Sequence, residues 1–177
     1  MLRNFSHIIF FLILIFGCDN SKVQQSEETD EASKSSKSIT EKDIESIRFD
    51  DYGLSNDSKK AIENWQKYWE LNEQIDYLKN VDLSFFNGEK AILKAFLNDF
   101  KTEMPDVIKT APILSRITAL ETKLLKLNST LKLDLDKTER LNDIKEFLIA
   151  MSNLNLQVNK KFELDANLVD KGETTEQ

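Results

Sequence analysis

The stretch PILSRITALETKLLKLNSTLKLDLDKTERLNDIKEFLIAMSNLNLQVNKKF, from Pro112 to Phe162, decides the fold. Its first half carries Ile113, Ile117, Leu120, Leu124, Leu127 and Leu131 at spacings of 4, 3, 4, 3 and 4. Its second half carries Leu141, Ile144, Leu148, Met151, Asn155, Val158 and Phe162 at spacings of 3, 4, 3, 4, 3 and 4. Residues at such intervals share one face of a 3.6-residue helix, so two long amphipathic helices are predicted, at 111–132 and 137–163. Pro112 stands in the first turn, where its missing N–H leaves no bond unmade. Asp136, with Glu139 three residues on, starts the second helix. Only Lys132 to Leu135 separates the seams, and long helices joined by so short a link are antiparallel neighbours. Leu114, Leu125, Ile149 and Leu156 widen the stripes beyond an isolated coiled-coil seam, which favours a monomeric bundle over a coiled-coil dimer.

Two further helical patterns lie upstream. Ser55, Asn56, Asp57 and Ser58 are all good N-caps. They precede Ala61, Ile62, Trp65, Tyr68, Trp69, Ile75 and Leu78, which predicts a helix at 58–80. After Asn87 and Gly88 come Ile92, Leu93, Phe96, Leu97 and Phe100, and Pro105 ends that pattern, which predicts a helix at 88–103. With only four Gly and two Pro in 177 residues, the chain lacks the turns an all-β fold needs. The expected fold class is therefore all-α, an antiparallel up-down bundle of about four helices spanning 55–168, followed by a polar tail at 169–177.

The chain has one His, His7, and one Cys, Cys18, so no His or Cys lies downstream of residue 18. That removes the usual ligands of haem, zinc and di-iron bundles and the usual thiol and imidazole chemistry. Neither a P-loop nor GxGxxG is present. The acidic pairs Glu70/Glu73 and Asp134/Asp136 read as solvated, since two-carboxylate catalysis needs a cleft that shifts one of them. No catalytic residue, metal or cofactor is expected, and the chain is read as a non-enzyme. The net charge of −7, and the lack of any Lys/Arg run longer than two, oppose nucleic-acid binding.

Trp65, Tyr68 and Trp69 are the candidate ligand or partner contacts. Aromatic residues at helical spacing more often fill a core, so the contact reading requires one exposed ring. Trp65 and Trp69, four apart, are expected on one stripe with Tyr68 on its border. Asn155 inside an apolar seam, and Asn72 between Trp69 and Ile75, read as register-setting amides that bond each other if they face. Arg116 is expected to clamp Asp106 or Glu103.

At the N-terminus, Arg3 precedes nine consecutive apolar residues, Ile8 to Phe16, and then Gly17 and Cys18. The run is too short for a membrane span of about 20 residues but fits a signal-peptide core, so 1–17 is expected to be a signal peptide. From Cys18 to residue 50 the chain is rich in Ser, Glu and Lys, the composition of a disordered tether. Within it, Thr40-Glu41-Lys42-Asp43, followed by Ile44 and Ile47, has the form of a capping box.

The tetrapeptide Ile15-Phe16-Gly17-Cys18 resembles the lipobox of bacterial lipoproteins. The resemblance implies cleavage between Gly17 and Cys18, transfer of diacylglycerol to the Cys18 thiol, and a fatty acyl chain such as palmitate on the new amino group. Each buried CH₂ contributes roughly 0.8 kcal/mol, so a multiply acylated terminus anchors a protein without further contact. Asp19 is the inner-membrane retention signal of enteric bacteria, a rule other phyla do not follow. Met104-Pro105, Thr110-Ala111-Pro112 and Arg116-Ile117-Thr118-Ala119-Leu120-Glu121-Thr122-Lys123 are similar to stretches of small, uncharacterised helical lipoproteins of Bacteroidota, from which no functional residue carries over.

The expectation is a lipoprotein of the bacterial cell envelope, its acylated Cys18 in a membrane, the outer in preference to the inner. Its helical domain is expected to be a monomeric interaction or scaffold module for an envelope protein partner. The alternatives are a carrier of a small apolar ligand between the helices and a surface-exposed adhesin.

Overall fold

The computed structural model describes residues 37–173, with side chains to residue 168. Gly17, Cys18, the expected signal peptide, the tether as far as residue 36 and the last four residues lie outside it. The described residues form an all-α fold without a strand. The helices are α1 (Glu41–Glu45), α2 (Asn56–Ala61), α3 (Gln66–Lys79), α4 (Lys90–Thr102), α5 (Ala111–Lys132) and α6 (Lys137–Glu173), with a 3₁₀ turn at Asp106–Ile108.

The two seams form the centre. Ile113, Ile117, Leu120, Leu124 and Leu127 of α5 are buried with Ile144, Leu148, Met151 and Val158 of α6, joined by Phe147 and Leu154. Lys123 Nζ lies 2.8 Å from Glu146 and Lys126 Nζ 2.6 Å from Asp143, so contacts step back along α6 as they step forward along α5. The link between them turns at Asp134, whose φ of 47° is one a short polar side chain tolerates. Asp136 then accepts from the Thr138 N–H at 3.0 Å, capping α6 as its position foretold. Leu114 departs from expectation: it is 45% exposed and does not widen the α5 seam.

Along the other side of α5, Lys101 pairs with Glu121 and Lys132 with Glu89, so α4 also progresses opposite to α5. Leu93, Leu97 and Phe100 of α4 are buried. Asn128, itself buried on α5, donates from Nδ2 to the carbonyls of Phe86 and Gly88 at 2.8 and 2.9 Å, which holds the loop ahead of α4.

Three boundaries differ from the sequence reading. The single helix expected at 58–80 is two, because the backbone leaves the helix between Ala61 and Gln66. Ser55 caps the first of them, and Trp65 stands ahead of the second in non-helical backbone (φ −83°, ψ 79°). The helix expected to stop at 163 continues to Glu173, taking in residues 169–173 of the expected polar tail. The third difference concerns the tether. The compact unit begins at Ile39, not residue 55. Ile39 and Ile44 are buried, and Ile47, Phe49 and Leu54 pack against the core. Thr40 and Asp43 form the full capping box of α1. Composition hid this, because five apolar residues scattered over sixteen make no stripe of their own and are ordered by the surface they land on.

Candidate functional site

Residues 47–55 have no regular secondary structure and cross the face of α6 as a strap. Three α6 side chains, spaced 3 and 4 apart and so on one helix face, hold its main chain. Ser152 Oγ accepts from the Tyr52 N–H at 2.8 Å and donates to the Asp50 carbonyl at 2.5 Å. Asn155 Nδ2 donates to the Tyr52 carbonyl at 2.9 Å. Asn159 donates from Nδ2 to the Gly53 carbonyl at 2.8 Å and accepts at Oδ1 from the Ser55 N–H at 2.9 Å. The strap runs in the same direction as α6, and every one of these bonds is to its backbone.

Between strap, α3 and α6 lies an open cleft of about 200 Å³, bordered by Tyr52, Tyr68, Trp69, Asn72, Met151 and Asn155 among others. The three aromatic residues singled out from the sequence part company here. Trp65 is fully buried, donates its indole N–H to the Phe100 carbonyl at 2.8 Å, and packs on the Phe100 ring at 4.5 Å. Tyr68, 2% exposed, belongs to the core and not to its border. Trp69 is 39% exposed, meets the Tyr68 ring edge-on at 5.0 Å, and borders the cleft beside the 40% exposed Tyr52. The shared stripe expected of Trp65 and Trp69 fails because Trp65 precedes the first turn of α3. One exposed ring remains, the condition on which the contact reading stood.

The Tyr68 hydroxyl donates to Asn155 Oδ1 at 2.8 Å. Burial pushes its pKa up to about 12. Asn155 therefore joins α3 to the strap. The bond expected between Asn155 and Asn72 is not made, since Asn72 Nδ2 donates to the Tyr68 carbonyl one turn back on its own helix.

The strap's upstream end is fixed by charge. Asp43 Oδ2 accepts from the Thr40 hydroxyl at 2.6 Å and the Thr40 N–H at 2.8 Å, and lies 2.6 Å from Lys137 Nζ at the start of α6. The Lys137 ammonium first, then the Thr40 donors, lower its pKa to about 2.

Arg116 is exposed and clamps neither expected partner. Asp106 pairs with Lys109 instead, and Glu103 accepts from the Lys67 N–H. The acidic pairs have local uses: Glu70 binds Lys67, Glu73 accepts from the Tyr77 hydroxyl, Asp134 meets Arg140, and Asp136 caps α6. Among the described residues no three His, Cys, Asp or Glu side chains are grouped to hold a metal. No described helix is long and apolar enough to cross a membrane.

Sequence reasoning missed the ladder of Ser152, Asn155 and Asn159. The signal in the sequence is three polar residues at helical spacing, Asn155 inside the apolar seam and Ser152 and Asn159 beside it, of which only Asn155 stands out against apolar neighbours. No protein-family model, curated protein or solved structure matches the chain.

Proposed function

We propose that this chain is a lipid-anchored, non-enzymatic interaction module of a bacterial envelope, held to a membrane through acylated Cys18 and presenting a monomeric up-down antiparallel bundle to a protein partner. The short links and the opposed pairings of α4, α5 and α6 support the bundle arrangement. The lipobox-like Ile15-Phe16-Gly17-Cys18 supports the anchor. The observation that carries the reading is the seating of residues 39–55. The chain arriving from the Cys18 side is buried at Ile39 and Ile44 and hydrogen-bonded to α6, so a pull through the tether acts on the body of the domain. Binding is favoured over catalysis because the acidic pairs Glu70/Glu73 and Asp134/Asp136 are taken up by surface pairs and a helix cap. It is favoured over an apolar carrier because this cleft is open, as are the hollows of about 340 to 410 Å³ elsewhere on the surface, and none of these is enclosed between the helices as a small-ligand cavity is.

The test is detergent phase partition in the host. Wild type goes to the detergent phase, while Cys18→Ser goes to the aqueous phase as an uncleaved precursor. Equal partition of the two overturns the anchor.

A further inference from the structure

We propose that the groove between α3 and α6 is a binding site for an extended peptide read through its backbone, and that the strap at 47–55 is its resident occupant in cis. This deepens the interaction reading by naming the class of partner, and it does not depend on the lipid anchor.

Ser152, Asn155 and Asn159 make five hydrogen bonds to the strap, all to the main-chain N–H or carbonyl groups of Asp50, Tyr52, Gly53 and Ser55. Peptide sites that add an extended segment to a sheet edge divide their labour in this way, with main-chain bonds for affinity and pockets for side chains. Here a helix supplies the polar groups, each placed once per turn. The side-chain component comes from Phe49, just ahead of the hydrogen-bonded stretch, and Leu54 within it, both packed on the core. Asp50, Asp51 and Tyr52 between them are exposed, so the groove places little demand on their identity. Gly53 imposes none either, because a Cβ there would meet nothing within 4 Å. A foreign segment needs only an extended backbone and two apolar side chains five residues apart.

Ser152 and Asn155 are buried, and the strap backbone satisfies the Ser152 hydroxyl and the Asn155 Nδ2 group. When the strap lifts, they lose those partners together, and an incoming extended chain restores the same bonds. The cis strap therefore sets the apparent affinity for a peptide in trans, which is weakened in proportion to the fraction of time the groove is free. Ile39, Ile44 and the Asp43–Lys137 pair hold the strap from upstream, without belonging to the ladder or the cleft between the strap, α3 and α6.

The test is fluorescence anisotropy of a labelled peptide with the sequence of residues 47–57 (IRFDDYGLSND), titrated into the full chain. Ile44→Ala loosens the strap and leaves the ladder intact, so the peptide should bind it about tenfold or more tighter than wild type. Adding Asn155→Ala and Asn159→Ala to that variant should abolish the gain. A peptide N-methylated at Tyr52, which lacks the N–H that Ser152 receives, should bind weakly, and one with Asp50 and Asp51 changed to Ser should bind normally. Phe49→Ala serves as a second loosened variant should Ile44→Ala lose its helical circular dichroism. The proposal is overturned if folded, loosened variants gain no affinity, or if the N-methyl peptide binds as well as its parent. Hydrogen exchange of the wild type provides an independent arm. The Tyr52 and Ser55 amides should exchange well ahead of those in α5, and exchange as slow as in α5 would mean the strap never lifts while the helices stay folded. A failure in any of these leaves the partition of Cys18→Ser unaffected, so the two readings fall separately.

Discussion

The Tyr68 hydroxyl on α3 and the Asn155 amide on α6 meet at 2.8 Å, and the same amide passes a second bond to the Tyr52 carbonyl. One buried side chain thus couples two helices to the strap. Tyr68→Phe leaves the Asn155 oxygen without its buried donor, a loss of about 1 to 3 kcal/mol. Asn155→Ala removes both bonds and should lower the urea midpoint further. Equal midpoints for Tyr68→Phe and wild type would mean that water replaces the hydroxyl.

The same tyrosine predicts an alkaline limit. Its pKa in the folded chain is pushed up to about 12 by burial, above the ordinary value of 10. The unfolded chain therefore loses this proton first as pH rises. The contribution is whole below about pH 10 and falls away between about 10 and 12. Tyr77 is also raised, by its bond to Glu73, and adds a slope of the same sign. Tyr68→Phe should therefore flatten the stability curve over this range without making it level, as read from denaturant midpoints at stepped pH. Parallel curves would show that Tyr68 ionises without unfolding.

The seams of α5 and α6 were legible because burial writes a period of three and four into them, and α5 begins and ends where that period does. Trp69 was legible only as a possibility, since its exposure depends on a break between Ala61 and Gln66 that no Pro or Gly announces. The strap was not legible. Its order comes from contacts some 100 residues away, Tyr52 with Ser152 and Ser55 with Asn159. A segment whose partners lie so far along the chain carries the composition of a linker.

The central seam gives a contrast one residue wide. Leu124 is fully buried, so Leu124→Ala should cost about 2 to 5 kcal/mol. Lys123 is partly exposed and pairs with Glu146 at 2.8 Å, and such pairs are worth under about 1 kcal/mol. Lys123→Ala should stay within that limit. Both midpoints should be independent of protein concentration. A Leu124→Ala effect that grows on dilution would assign the seam to a second copy of the chain.

Acid should weaken the pin that holds the strap. Asp43 receives two donors from Thr40 and the Lys137 ammonium on one oxygen, and its pKa is lowered to about 2. In the unfolded chain the same carboxyl takes up its proton near the ordinary value of 3.8. Its contribution is therefore whole above about pH 4 and is lost as pH falls toward about 2. Asp82, Asp106, Asp136 and Glu146 are lowered as well and give the wild type an acid slope of the same sign. The share of Asp43 is isolated by difference: Asp43→Asn should be less stable than wild type at pH 6, and the two should converge as pH approaches about 2. Lys137→Met should lower the pH 6 stability too, since the ammonium is the largest cause of the shift. Hydrogen exchange near pH 3 should show Ile44 to Ser55 opening before α5, because Asp43 pins the strap, whereas the seams that Glu146 also spans are held by buried apolar side chains. Wild-type and Asp43→Asn curves that stay parallel from pH 6 to pH 2 would remove Asp43 as the pin.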